Sequence, residues 1–144
     1  MSAAVGSESV VRAARLGVAA LALTLASIHV AILNEHLQEQ TYVGALFLAG
    51  ILGLQVVALQ LAQSRRDRVL DTAAWTLGVF IAVAMSAFYV ASRTAGLPGY
   101  HEPWDRIGVA SLVVEGALVA LAATAGAASD LSPSRAWTGT RTAA

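Results

Sequence analysis

The chain of 144 residues contains no cysteine, which excludes disulfides, thiolate metal sites and thiol catalysis. Lysine is missing too: Lys+Arg is 9, all of them arginine, and Asp+Glu is also 9, so the formal net charge is zero. That balance leaves no basic face for a phosphate backbone, and no nucleic-acid partner is expected. Charge of any sign is scarce at 12%, where a soluble domain carries about 25%. The sequence also lacks a glycine-rich phosphate loop, a nucleophile elbow and a His-Glu-x-x-His run, so the commonest hydrolytic and nucleotide chemistries have no signature here.

What remains is apolar: 57% of residues are hydrophobic and the mean hydropathy is +0.67. A helix needs about 20 mostly apolar residues to cross a hydrocarbon core of roughly 30 Å. The gaps between charges supply four such stretches, 16–34, 40–64, 72–92 and 107–129, the last interrupted only by Glu115. Continuous apolar runs without period-two alternation select helices, whose backbone groups are satisfied internally. The expectation is an all-α membrane protein, a four-transmembrane-helix up-down bundle over 11–129 with spans at about 13–34, 41–63, 72–93 and 105–128. A disordered N-terminus (1–10) and a disordered C-terminal tail (130–144) flank it. The first span starts with arginines, as a signal peptide does. Thr24-Leu25-Ala26 is a poor cleavage site and the apolar run continues to Leu33, so the span is read as retained.

Arginine placement gives the orientation. Arg12, Arg15, Arg65, Arg66, Arg68, Arg135 and Arg141 fall on one side, whereas Arg93 and Arg106 share the other with Glu35, Glu39, Glu102 and Asp105. The positive-inside rule then puts both termini in the cytoplasm. Helices in lipid associate through small residues and a few polar contacts. Ala45, Ala49 and Gly53, with Gly50 beside them, form such a surface on the second span. Trp75, Val79, Ala82, Ser86, Tyr89 and Arg93 share one stripe of the third span, and Gly108, Ser111, Glu115, Leu118 and Ala122 one stripe of the fourth. The two stripes are expected to face each other.

At about 1.5 Å per residue Glu115 lies roughly 15 Å in from Asp105, near the bilayer centre, at the level of Thr24, Gln55 and Ser86, with His29 about two turns further out. An acidic group there costs about 2.5–3.5 kcal/mol on insertion scales, so it needs a partner, a proton or a function. One reading is a neutral carboxyl hydrogen-bonded to Gln55, Ser86 or Ser111; the other is a proton carrier or cation ligand. His29 is either an interfacial or core hydrogen-bonding residue or a ligand. In the polar segment after Asn34, Glu35 and Glu39 would share one helical face and His36 and Gln40 another. His29 and His36 stand about 10.5 Å apart along a helix, too far to chelate one ion unaided. Further ligands would come from the segment 92–104, where Gly96, Pro98, Gly99 and Pro103 shape a turn carrying His101, Glu102 and the interfacial Trp104. Nitrogen and oxygen donors without sulfur suit a divalent metal such as zinc or copper. Haem is the other cofactor considered, with His29 paired to His36 or His101.

Taken together, His29, Glu35-His36, Tyr42, Gly44, Phe47, Gln55, the run Ser92-Arg93-Thr94-x-Gly96-Leu97-Pro98, Trp104 and Glu115 resemble a family of small four-span membrane proteins from actinobacteria. The resemblance covers about residues 15–125 and its most specific element is the Ser-Arg-Thr-x-Gly-Leu-Pro turn. It implies four helices and a membrane location; it implies no catalytic role.

The expected site is an outward-facing polar pocket built from His29, His36, Arg93 and Glu115, with Glu35, Gln55 and His101 in support. His29, His36, His101 and Glu115 are the candidate metal ligands. The pocket would bind a metal ion or a small cationic or polar ligand. The alternative is a non-catalytic accessory subunit, using its small-residue faces in a homo-oligomer or a larger membrane complex. An enzyme acting on a lipid or quinone has no signal beyond the same polar cluster.

Overall fold

The computed structural model describes residues 2–63 and 67–130. It is all-helical: α1 (Ser2–Glu39), α2 (Thr41–Ala62), α3 (Arg68–Thr94) and α4 (Arg106–Asp130). Each contains a stretch long and apolar enough to cross a membrane, namely Ser9–Glu39, Thr41–Ala62, Val69–Thr94 and Arg106–Ala125. The expected N-terminal disorder at 1–10 does not match the helix that starts at Ser2, and the first helix also outruns the expected end at 34. For the longer reach past 34 the reason lies in composition: between Gly17 and Gly44 no glycine or proline interrupts a run rich in Ala, Leu, Glu and Gln, all strong helix formers. Of the expected disordered tail, Asp130 ends α4 and the rest lies outside the described residues.

Only Gln40 separates α1 from α2. Its extended backbone (φ −148°, ψ 114°) breaks the first helix, and its carbonyl accepts from the N–H groups of Val43 and Gly44 at 3.0 and 3.1 Å to start the second. Asp67 caps α3, its Oδ1 accepting from Val69 and Leu70 at 2.9 and 3.2 Å. Asp105 does the same for α4 through Gly108 N–H at 2.6 Å. Both satisfy donors that the first helical turn leaves unpaired.

The helices touch in a ring, α1 against α2 and α4, and α3 against the same two. One half of that ring is dry. Val18, Ala22, Leu25 and Ala26 of α1 meet Leu54, Val57 and Leu61 of α2, Ile81 and Ala82 of α3, and Leu118 of α4, all buried. The far end is closed by Arg15, 5% exposed, which pairs with Asp71. Its guanidinium also donates to the carbonyls of Leu61 (3.3 Å), Gln60 (3.4 Å) and Gln63 (3.3 Å), while the Gln60 amide reaches Asp71 at 3.3 Å. A helix C-terminus has carbonyls without internal partners and a partial negative charge, and one arginine from α1 answers both.

At the opposite end the connection 95–105 folds back over the helix termini. Gly96 (φ 76°) and Gly99 (φ 68°) occupy the left-handed region that other residues avoid, and between them Leu97 and Tyr100 exchange backbone hydrogen bonds of 2.7 and 2.9 Å. Gln40 Nε2 donates to Gly99 O and the Tyr42 hydroxyl to Pro98 O, each at 2.9 Å. The turn is thereby pinned to the start of α2, which drives Tyr100 inward to 6% exposure.

Candidate functional site

A cavity of about 710 Å³ occupies the half of the molecule nearest the 95–105 connection. Its polar groups form two tiers. The inner tier joins α1, α3 and α4: Glu115 is 2% exposed and accepts from the Ser86 hydroxyl, and Ser111 lies one turn away on the same face of α4. His29 enters from α1, 3% exposed, with Nε2 3.7 Å from Glu115 Oε1 and its ring edge-on to Phe47 at 5.2 Å. Neither nitrogen of His29 has a hydrogen-bond partner. Buried polar groups are nearly always paired, so an imidazole with both nitrogens unpaired beside a carboxylate calls for a physical explanation.

The outer tier is denser. His36 Nδ1 stands 3.0 Å from the Tyr100 hydroxyl, 3.4 Å from Glu39 Oε2 and 3.8 Å from Glu102 Oε1. Arg93 Nη2 bridges Glu102 at 2.6 Å and Asp105 at 2.9 Å, Nη1 donates to Ser92 Oγ at 2.7 Å, and the guanidinium lies 3.9 Å over the Tyr89 ring. Burial pushes the Asp105 carboxyl up, yet the Gly108 N–H bond and the Arg93 charge outweigh it and hold the group below its usual range. Burial, followed by Glu102, pushes the Tyr100 phenol well above its ordinary value. Phe47, Met85 and Phe88 make the cavity's walls apolar between the tiers.

His29, Glu35, His36, Arg93 and Glu115, all expected in the site, line this cavity. Gln55 and His101 do not. Gln55 follows buried Leu54 by one residue, a rotation of about 100°, and is exposed on the outer face of α2. Thr24 also points outward and bonds the Ala20 carbonyl of its own helix at 3.0 Å. His101 is exposed on the turn beside Gly96. The expected metal set therefore separates: His29 goes with Glu115, His36 with Glu39 and Glu102, and His101 stands apart. Among the described residues the cluster with metal-ligand geometry is His36, Glu39 and Glu102, whose donor atoms lie within 4.8 Å of one another. Two of those three are already engaged, His36 by Tyr100 and Glu102 by Arg93. The cavity histidines both sit on α1, so no pair faces across it as two axial haem ligands would.

From the sequence Glu39 and Glu102 stand among the ligand-type groups near the site but outside the expected ligand set, and Tyr100 is not considered. The step from His36 to Glu39 is a helical i, i+3 neighbour and was a usable signal. Tyr100, sixty-odd residues away, had none. The chain matches no family model, no curated protein and no solved structure.

Proposed function

We propose that this protein is a small multi-pass membrane protein that binds one small ligand, with a cationic or proton-donating head, against His29 and Glu115. In this reading the helices cross a bacterial cytoplasmic membrane up-down-up-down, both termini face the cytoplasm, and the cavity opens toward the outside. The arginine distribution supports the orientation. The observation that supports the function is the His29 ring: it is fully enclosed, both nitrogens are unpartnered, and it borders the cavity beside a buried carboxylate. A ligand N–H or O–H donated to His29, with positive charge set against Glu115, completes that arrangement. The cavity rim reinforces the sign: Glu35, Glu39, Glu102 and Asp105 outnumber Arg93. A metal ion at His29 and Glu115 is the same proposal with two protein ligands and the hydroxyls of Ser86 and Ser111 nearby.

Native mass spectrometry of the protein released gently from its own membrane tests this. The expected spectrum shows one stoichiometric added mass of a small organic molecule or metal, absent from His29→Ala and Glu115→Ala proteins that keep their helical circular dichroism. Retention of that mass in both variants overturns the proposal. One observation favours a second reading as an accessory subunit: Gln55, a polar side chain at mid-span, is exposed among Leu52, Val56 and Leu59 on the outside of α2. Polar groups on such faces hydrogen-bond across helix interfaces. A companion polypeptide in the spectrum, with no small-molecule mass, would transfer the conclusion to that reading.

A further inference from the structure

The cavity does not end at the inner tier's side walls. Its lining continues outward between α2 and α3 through Ala49 and Gly50 to Leu46 on one helix, and to Leu77, Phe80 and Ala84 on the other. Leu46 is 53% exposed and Phe80 68% exposed, so these are faces that a bilayer would cover with acyl chains. Met85 and Ile81 of α3 fill the notches at Gly50 and Gly53, where an added Cβ would stand 2.9 and 2.5 Å from their side chains, so the opening lies on the exposed side of that contact, at Leu46 and Ala49 on α2 and Phe80 and Ala84 on α3. Toward the cytoplasmic end of the proposed orientation Leu25, Leu54, Val57 and Leu118, each at most 1% exposed, fill the space below His29 and Glu115.

Building on the proposed function, we infer that the ligand is a membrane-partitioned amphipathic amine that reaches His29 and Glu115 sideways from the lipid, through the gap between α2 and α3. The chemistry of each part matches its surroundings. An ammonium N–H donates to the free nitrogen of His29, and its charge sits beside the Glu115 carboxylate, which holds a single Ser86 hydrogen bond. The alkyl body lies along Phe47, Met85 and Phe88, and the chain end passes out between Ala49 and Ala84 into the acyl layer. A water-soluble cation would need only the outer rim; the apolar opening has a use only for a ligand that arrives in the bilayer.

The test uses the full chain in nanodiscs with ¹⁵N-labelled histidine, the His29 ring signals assigned by their loss in His29→Ala. The probes are dodecylamine and ethylamine, and the readout is the His29 ring shift against probe concentration. Dodecylamine is expected to shift His29 in the wild type. Ala49→Trp, which fills the gap from an exposed position, is expected to weaken that response at least tenfold, and by a larger factor than it weakens any ethylamine response. Glu115→Gln is expected to weaken both. Equal dodecylamine affinity in wild type and Ala49→Trp, with Glu115→Gln impaired, overturns lateral access and leaves the pocket standing. A His29 signal that neither amine moves in the wild type overturns the amine assignment, while the added mass in the native spectrum still decides the pocket on its own.

Discussion

At the scale of single residues the inner tier is a buried carboxylate bonded by the Ser86 hydroxyl, beside an imidazole with both nitrogens unpartnered, among phenylalanine, methionine and leucine side chains. Glu115 and His29 were both legible in the sequence, because a charge or a ring nitrogen inside an apolar run stands out against its neighbours. Gln55 was misplaced for the complementary reason: α2 is apolar around its whole circumference, so no periodicity told which side faces the core. The pair Glu115→Gln and Glu115→Ala separates hydrogen bonding from charge. The amide keeps an acceptor for Ser86, so its unfolding free energy is expected to stay within about 1 kcal/mol of the wild type. Alanine strands Ser86 and opens a void, and is expected to cost about 2–4 kcal/mol, read by reversible unfolding in detergent micelles. Equal losses in the two variants would mean that the charge itself stabilises the fold.

At the scale of elements the two inward stripes were readable and the outer tier was not. Gly108, Ser111, Glu115, Leu118 and Ala122 of α4 are all buried, and Ala82 and Tyr89 of α3 are buried with Ser86 half-buried between them, as a 3.6-residue period dictates. The meeting of His36 with Tyr100 and Glu102 depends on how the 95–105 turn folds back, a tertiary fact set by Gly96, Gly99 and the anchors from Gln40 and Tyr42. Asp105 is where that turn hands over to α4: its Oδ1 caps the helix and its Oδ2 holds Arg93 at 2.9 Å. Because its carboxyl titrates below the usual range in the folded protein, Asp105 contributes fully above the ordinary carboxylate value and loses that contribution as pH falls through the lowered one. Asp105→Ala is expected to cost about 1 kcal/mol at neutral pH, the usual worth of an N-cap. The difference in Tm between variant and wild type is expected to shrink on acidification through the carboxylate range. A difference that stays constant over that range would show that the ionised carboxylate adds nothing to the cap.

At the scale of the whole molecule the two ends are unlike. One end is knotted by Arg15, Asp71 and the last carbonyls of α2 above a dry core; the other carries the cavity, the acidic rim and the glycine turn. Ligand exchange through the proposed pocket would therefore be confined to one half of the membrane, and which half depends on orientation. The rule that reads positive charge as cytoplasmic counts Arg15 among its arginines, yet Arg15 is buried and paired, so the reading leans on the remaining ones, chiefly Arg65, Arg66 and Arg68. A chain without cysteine makes the orientation directly measurable. His101→Cys and Gln63→Cys each introduce one thiol at an exposed position outside the cavity, at opposite ends of the helices. In intact cells a membrane-impermeant maleimide is expected to label position 101 and to leave position 63 unlabelled until the membrane is permeabilised. The reverse pattern would turn the cavity toward the cytoplasm, and the amine would then be drawn from the inner leaflet, where the same gap between α2 and α3 would meet a different set of lipids.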